Sequence, residues 1–279
     1  MPINATRLIR KMRGGAQAHL LECDDGNSYV VKFRNNPQHR RILVNEWIAS
    51  TVLQYLDIST PPVEIVNLSA VFLENNPEVH IQLGSRREPV ESGWHFGSRY
   101  PGDPGKLLVY DFIPDVLLEK VANLREFLGV LAFDKWIGNA DARQTIFFRA
   151  RLQQWSTAKS DRAPLLGFVA SMMDHGYVFN GPHWVFSDSP LQGLYFRPAV
   201  YKAARSFDDF QPWLDRLMHL PEDVVDRAQK QLPPEWLDGD ESALDALLNK
   251  LMARRRRIPD LIEDSRRGRI NPFPDWRTA

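Results

Sequence analysis

The sequence predicts an α+β fold in two parts, a β-sheet with one key helix in residues 1–112 and a mainly helical part in residues 113–279. An Asp-Gly turn between two β-prone runs predicts a hairpin close to the N-terminus. Residues 41–56 then repeat apolar side chains at helical spacing. From Val116 onward the pattern is mostly helical, so the change of periodicity marks the boundary between the two parts.

The composition predicts a folded protein with a well-buried core. The chain has 279 residues, 43% hydrophobic and 25% charged, with eight Trp, fifteen Phe and a formal net charge of +0. Balanced charge gives no reason to expect nucleic acid or a membrane as a partner. The single cysteine, Cys23, rules out an intramolecular disulfide. No apolar run has the length of a membrane span, and we expect a soluble cytoplasmic protein.

A loop of small residues precedes the first predicted strands. Gly14, Gly15, Ala16 and Gln17 come before the β-prone run Leu20–Cys23. Small side chains let backbone amides approach phosphate oxygens closely, so this loop is a candidate phosphate-binding loop. A plain surface turn is the simpler interpretation of two adjacent glycines.

Lys32 and Glu46 are charged residues within otherwise apolar elements. Lys32 lies in the predicted strand Tyr29–Phe33, and Glu46 lies on the apolar stripe of the predicted helix Arg41–Leu56. Either charge would be costly to bury without a partner. A strand Lys paired with a helix Glu is the ion pair that positions the phosphates of ATP in kinases. Alternatively, both side chains face solvent.

Strands and a long loop are predicted next. Residues 63–71 and 79–83 are β-prone, whereas residues 84–106, which include His95, are rich in Gly, Pro, Arg and Ser and predict a loop. His95 could contact an anionic substrate there. Leu107–Pro114 is predicted to be a buried strand that ends at a Pro break. A hinge between two lobes would lie at this break, and its backbone could bind the edge of an adenine.

Two acidic residues are placed at the ends of apolar runs in the second part. Asp141 lies in a polar loop after the predicted buried helix Leu124–Trp136 and before the predicted strand Thr145–Arg149. Asp174 directly follows a second predicted strand, Leu166–Met173. Two carboxylates delivered to loops by apolar elements suit a metal-dependent phosphoryl-transfer site.

The C-terminal part carries less information. Gly176–Arg197 is aromatic and rich in Gly and Pro, and it is either an irregular packed segment or a loop that covers a cleft. Helices are predicted at Phe207–Leu220, Val224–Leu232 and Leu244–Met252. The four arginines at 254–257 are interpreted as a solvated helix end.

Taken in order, six segments resemble the HipA-like kinases, a branch of the protein-kinase-like superfamily that is also similar to phosphatidylinositol kinases. The segments are Gly14–Gln17, Tyr29–Phe33, Asn45–Trp47, Tyr110–Phe112, Gly138–Asp141 and Met173–Gly176. The resemblance implies a bilobal protein-kinase-like fold. It also implies an ATP- and Mg²⁺-dependent kinase that transfers the γ-phosphoryl group of ATP to a hydroxyl, with Ser or Thr of a protein as the expected acceptor.

The resemblance further implies roles for single residues. The nucleotide-binding residues would be Gly14, Gly15, Ala16, Gln17, Lys32, Tyr110, Asp111 and Phe112, the last three as the hinge. Lys32 would contact the α- and β-phosphates, and Glu46 would orient Lys32. Asp141 would be the catalytic acid near the attacking hydroxyl, and Asp174 would hold Mg²⁺ between the phosphates.

One position departs from the family pattern. The family usually has an Asn about five residues after the catalytic Asp as a second metal ligand, but the fifth residue after Asp141 is Ile146. Gln144 or Asn139 could offer Mg²⁺ an amide oxygen instead, and Arg143 could contact the γ-phosphate. The alternatives are an inactive nucleotide-binding protein, a nucleotidyltransferase on the same fold and a metal-dependent hydrolase.

Overall fold

The computed structural model describes residues 1–151 and 166–277, with strands concentrated early and helices late, and the predicted mixed α+β composition is confirmed. The strands are β1 (Ile3–Lys11), β2 (His19–Cys23), β3 (Ser28–Lys32), β4 (Val63–Leu68), β5 (His80–Leu83), β6 (Arg86–Pro89), β7 (Gly93–Arg99), β8 (Val109–Tyr110), β9 (Gln144–Ala150) and β10 (Gly167–Met173). The helices are α1 (Arg41–Tyr55), α2 (Ala70–Asn75), α3 (Asp115–Leu118), α4 (Glu126–Ile137), α5 (Trp213–Met218), α6 (Glu222–Lys230), α7 (Pro234–Leu237), α8 (Glu241–Ala253) and α9 (Ile258–Arg267).

The N-terminal strands close into a barrel in the order β1-β2-β3-β7-β4. The predicted hairpin is confirmed, since β2 and β3 pair antiparallel with Leu21 opposite Tyr29. Its turn is held by the N–H of Gly26, which donates to the carbonyl of Cys23. β1 closes the barrel by running parallel to β4. Closure leaves the barrel without a free sheet edge and encloses its own apolar core.

The prediction of a loop over residues 84–106 is wrong, because β7 lies there and pairs with β3 on one side and β4 on the other. Its sequence contains two glycines and lacks the β-branched residues that signal a strand. Gly97 is needed for packing, since a Cβ there would overlap a methyl group of Val66. His95 is fully buried, its Nδ1 accepts from the N–H of Arg34 at 2.9 Å, and it does not face a substrate.

A second, antiparallel sheet has the order β10-β9-β8. It confirms the predicted strand pair, with Thr145 opposite Met172. Val109 in β8 pairs with Phe148 in β9, so Tyr110 belongs to this second sheet. The chain leaves the barrel after Arg99 and reaches the second sheet at Val109, so residues 100–108 cross between the two sheets.

The main apolar core joins α1, from the first part, to α4 and the C-terminal helices. Arg254 follows α8, donates to the carbonyls of Lys135 and Trp136 at the end of α4, and pairs with Asp188 at 2.6 Å. Because Arg254 is only 7% exposed, the start of the 254–257 run is part of the core and not a solvated helix end. Among the described residues, no helix has the length and apolarity that a bilayer crossing requires.

Candidate functional site

Two carboxylate side chains from different parts of the chain contact the ammonium of Lys32. The Lys32 ammonium donates to Glu46 of α1 and to Oδ1 of Asp174 at 2.7 Å. The side chains of Lys32 and Glu46 are 10% and 3% exposed, whereas that of Asp174 is 47% exposed. The lysine and glutamate are thus a buried pair, and Asp174 presents the open side of the cluster to solvent or to a ligand.

The electrostatics of the cluster keep the lysine charged. Burial alone would lower the pKa of Lys32, but the carboxylates of Glu46 and Asp174 outweigh burial and raise it. The Lys32 ammonium lowers the pKa of Asp174 against the opposing effect of burial. Burial raises the pKa of Glu46, and Lys32 opposes that rise. A single buried cation therefore balances two carboxylates.

Asp174 is presented by a backbone conformation that a non-glycine residue rarely adopts. It follows the end of β10 at Met173, and its φ is +56°. Such left-handed residues cost free energy and are frequent at functional sites. Gln144, the first residue of β9, lies directly opposite Met173 in the ladder and is exposed. Gln144 is thus the ladder partner of the residue that precedes Asp174.

The loop that carries Asp141 is fixed by backbone hydrogen bonds to segments that follow Asp174. The N–H of Ala140 donates to the carbonyl of Tyr177, and the N–H of Arg143 donates to that of Leu194. In the other direction, the N–H of Gly193 donates to the carbonyl of Asp141 at 3.1 Å. The Asp141 side chain remains exposed, with Oδ1 accepting from the N–H of Ala142 at 2.7 Å. Gly176–Arg197 therefore includes packed backbone that braces this loop.

The side chain of Asn139 forms hydrogen bonds within the loop that carries Asp141. It is 1% exposed, its amide donates to Asp134 at 3.0 Å, and its oxygen accepts from the N–H of Asp141 at 3.2 Å. Of the two amides considered as metal ligands, Gln144 is the exposed one, and its side chain donates only a long bond of 3.4 Å to the carbonyl of Ala142.

Arg143 does not reach toward the cleft, contrary to the expectation of a phosphate contact. Its guanidinium is 2% exposed and forms an ion pair with the fully buried Asp134. It also donates to the carbonyl of Met173 at 3.1 Å and to Nδ1 of His175 at 2.8 Å. Burial lowers the pKa of His175 well below its ordinary value, in keeping with a neutral imidazole.

The glycine-bearing loop connects β1 to β2. A tight turn is closed by the N–H of Gln17, which donates to the carbonyl of Gly14 at 3.1 Å. Within the described residues, the N–H groups of Gly15 and Ala16 donate to no protein acceptor. The Gln17 side chain pairs with both backbone polar groups of Gln82, each at 2.7 Å. The loop therefore has free amides on an anchored frame, as an anion-binding loop requires.

A cavity of about 850 Å³ separates the barrel from the second sheet. Ile9, Ser28 and Arg99 line it from the barrel, residues 100–105 line it from the crossing segment, and Phe148 and Ser171 form the opposite wall. Ser28 shares β3 with Lys32, and Ser171 shares β10 with Met173, so both strands lead from the cavity to the charged cluster.

The hinge residues proposed from sequence lie outside the lining of this cavity. Tyr110 packs its ring edge-on against Phe168, and Phe112 stacks beneath the guanidinium of Arg197 at 4.5 Å. Asp111 is exposed. Residues 100–105 line the cavity instead, and the hinge role of Tyr110–Phe112 stays a prediction.

The donor set fits a divalent cation that completes its coordination with phosphate oxygens. In the described part of the chain, no three His, Cys, Asp or Glu side chains gather into a preformed metal cluster. Asp174 offers a half-exposed carboxylate, and Gln144, which pairs with the residue before Asp174, offers an exposed amide oxygen. Mg²⁺ is commonly held by one or two carboxylates together with water and nucleotide phosphates, so these residues suit it.

Sequence reasoning missed the residues that hold the cluster together. Asn45 lies in the middle of α1, is fully buried, and donates to the carbonyls of Gly176, Val178 and Gly181. Its oxygen accepts from the indole N–H of Trp184 at 2.8 Å. The helix that carries Glu46 is thereby tied to the segment after Asp174. The available signal was an Asn within an apolar helix.

Two solved structures resemble this one over nearly its whole length. The structure of hydra Fam20 with sugar matches with a TM-score of 0.54 and 13% identity, covering 95% of this chain and 87% of that chain. The crystal structure of the Golgi casein kinase with Mn/ADP bound matches with a TM-score of 0.50 and 10% identity, covering 96% and 73%. At these identities the likeness establishes the fold alone, and that fold is protein-kinase-like.

The family follows from the sequence model. The model of the HipA-like kinases matches residues 5–153, more than half of the chain. The chain belongs to the HipA-like kinase family. A comparison with curated proteins gives no match.

Proposed function

We propose that this protein is an ATP- and Mg²⁺-dependent kinase that transfers the γ-phosphoryl group of ATP to a hydroxyl, with Ser or Thr of a protein as the acceptor. The observation that supports it most is the buried Lys32 held between Glu46 and Asp174. A lysine fixed by a helix glutamate and a metal-binding aspartate after a strand are the parts that kinases need. Family membership and the kinase-like fold agree with this proposal.

The nucleotide would span the cavity and the charged cluster. We propose that the nucleoside occupies the cavity between the barrel and the second sheet, beside residues 100–105. The triphosphate would then extend toward Lys32, beneath the free N–H groups of Gly15 and Ala16. Lys32 donates to Asp174, and with ATP bound it would donate to the α- and β-phosphates instead. Glu46 would keep the ammonium in place throughout.

Transfer would depend on charge neutralisation and on the orientation of the acceptor. The acceptor hydroxyl would attack the γ-phosphorus in line with the departing ADP, and its proton would pass to the exposed carboxylate of Asp141. Asp174 and Gln144 would hold Mg²⁺, which supplies positive charge to the phosphate oxygens when bound. Gln144 replaces the missing Asn in this scheme, because Ile146 packs in an apolar cluster and Asn139 is used by Asp134 and Asp141.

The test is incubation of the protein with Mg²⁺ and ATP labelled at the γ- or the α-phosphate, followed by mass spectrometry of the chain and of a lysate. We expect label only from the γ-position, on hydroxyl side chains. Asp141→Asn should retain nucleotide binding and lose most transfer. Asp226→Asn, an exposed acid on α6, serves as the matched control and should behave as the wild type.

Two of the alternatives have their own outcomes in this assay. Label from the α-phosphate would identify a nucleotidyltransferase. Nucleotide binding without release or transfer of the γ-phosphate would identify an inactive relative, which the position of Ile146 would explain. Full transfer by Asp141→Asn would remove Asp141 from the reaction.

A further inference from the structure

A buried guanidinium links the two loops that carry the proposed catalytic and metal-binding acids. Arg143 lies two residues after Asp141, and its Nε donates to Oδ2 of Asp134 at 2.8 Å while Nη2 pairs with Oδ1. This bidentate pair is fully buried, since both side chains are 0% exposed. Asp134 belongs to α4, so the pair fixes the guanidinium plane to the core of the second part.

The remaining nitrogen of the same guanidinium donates hydrogen bonds to both residues that flank Asp174. Nη1 of Arg143 donates to the carbonyl of Met173 at 3.1 Å and to Nδ1 of His175 at 2.8 Å. Because Nδ1 accepts, the imidazole carries its proton on Nε2, which lies 3.2 Å from the hydroxyl of Thr60. That hydroxyl donates in turn to the carbonyl of Met172 at 3.0 Å. The backbone before Asp174 and the imidazole of the residue after it are therefore held by hydrogen bonds to buried groups.

The Asp174 side chain, unlike the groups around it, is exposed enough to bind a cation. Its backbone has the left-handed φ of +56°, which needs support from its neighbours to persist. Its side chain is 47% exposed and meets Lys32 on one oxygen. The support comes from Arg143, which contacts Met173 and His175, and the Asp174 carboxylate is left half-exposed.

We propose that Arg143 is a positioning residue that fixes the orientation of the Asp174 carboxylate toward a divalent cation by clamping Met173 and His175. This inference rests on the proposed function, because it assigns the metal to Asp174. All three guanidinium nitrogens of Arg143 contact protein groups, and the side chain is fully buried, so it does not face a phosphate.

Arginine is required here by geometry as well as by charge. A lysine would still neutralise the buried Asp134, but one ammonium cannot reach Asp134, Met173 and His175 in three fixed directions. Arg143→Lys therefore keeps the charge and removes the clamp. Arg254→Lys is the matched control, because Arg254 is also a buried arginine that joins a carboxylate, Asp188, to backbone carbonyls.

The experiment measures Mn²⁺ binding to the full chain in the presence of saturating ADP, by calorimetric titration, together with urea unfolding of each variant. Supporting groups behind metal ligands typically change metal affinity about 10–100-fold. We expect Arg143→Lys to weaken Mn²⁺ binding at least tenfold. Arg254→Lys should shift it less than about twofold, even where its loss of stability is equal or greater.

A second pair of variants keeps the test informative if Arg143→Lys fails to fold. Gln at position 175 retains an acceptor for Arg143 and a donor for Thr60, whereas Phe retains neither. His175→Gln should bind Mn²⁺ within about threefold of the wild type, and His175→Phe should lose tenfold or more.

The outcomes separate the two proposals. Wild-type Mn²⁺ affinity in both Arg143→Lys and His175→Phe would overturn the positioning role and leave the proposed kinase function standing. Absence of Mn²⁺-dependent ADP binding in the wild type would overturn the proposed function, and the positioning role with it.

Discussion

Replacing Lys32 by methionine separates the structural role of the buried cluster from its chemical role. Met preserves the length of the lysine side chain and removes its charge. Glu46 would then remain 2% exposed with its cation gone, while Asp174, which is 47% exposed, would regain water. Removing one partner of a buried ion pair costs about 3–5 kcal/mol, and we expect the free energy of unfolding to fall by this amount.

Adding Glu46→Gln to Lys32→Met removes the uncompensated carboxylate. The double variant should regain most of the lost unfolding free energy, because a neutral amide costs far less to bury than a charge. It should still fail to transfer phosphate, because no cation would face the nucleotide. The measurement is urea unfolding of the wild type and both variants, paired with the γ-labelled ATP assay.

Lys202→Met is the matched control. Lys202 pairs with Glu119 at 2.9 Å, but both side chains are more than half exposed. Exposed pairs contribute about 0–1 kcal/mol, so the same substitution there should leave stability nearly unchanged. If Lys32→Met destabilises the protein no more than Lys202→Met does, the reasoning about a buried, mutually dependent pair is refuted.

Two further predictions concern the stability of the protein and test Glu126 and Gly193. Burial raises the pKa of Glu126 from its ordinary value of 4.5 to about 7, so the folded protein holds this proton more tightly than the unfolded chain. The unfolding free energy should therefore fall by roughly 1–3 kcal/mol as pH rises through that interval; Glu126→Gln should abolish the fall, as urea unfolding at pH 5 and pH 8 would reveal. Gly193→Ala should cost about 2–5 kcal/mol, from a φ of +67° and from a Cβ that would overlap Cβ of Asp134. Gly84→Ala has a similar φ of +60° with nothing within 4 Å, so equal losses in thermal unfolding of the two variants would show that the contact with Asp134 contributes nothing.

The charged residues of the cluster could be found without a structure. A lysine in an apolar strand and a glutamate on an apolar helix stripe conflict with their surroundings, because burying either charge alone is unfavourable. The conflict itself predicts that they meet, and the ion pair between Lys32 and Glu46 is present. Asp174 could be placed after a strand for a similar local reason, since the run before it is apolar except for Ser171.

Other features escaped because their cause is not local. β7 has a weak strand sequence, and its place in the barrel depends on hydrogen bonds from β3 and β4. The predicted buried strand Leu107–Pro114 is too long, because only Val109 and Tyr110 pair with β9, and Leu108 and Phe112 are exposed. Arg143 was expected to reach a phosphate, since nothing near it in the chain reveals that Met173 and His175 lie within its reach.

The sequence by itself determined the order of strands and helices in outline and the charges that must find partners. Tertiary structure decided which partners they find: Lys32 bridges Glu46 and Asp174, and Arg143 turns inward to brace the backbone around Asp174. The physical reason is range. Periodicity and desolvation act within a few residues of the chain, whereas the direction of a guanidinium or the depth of a cavity is set by segments more than 30 residues apart.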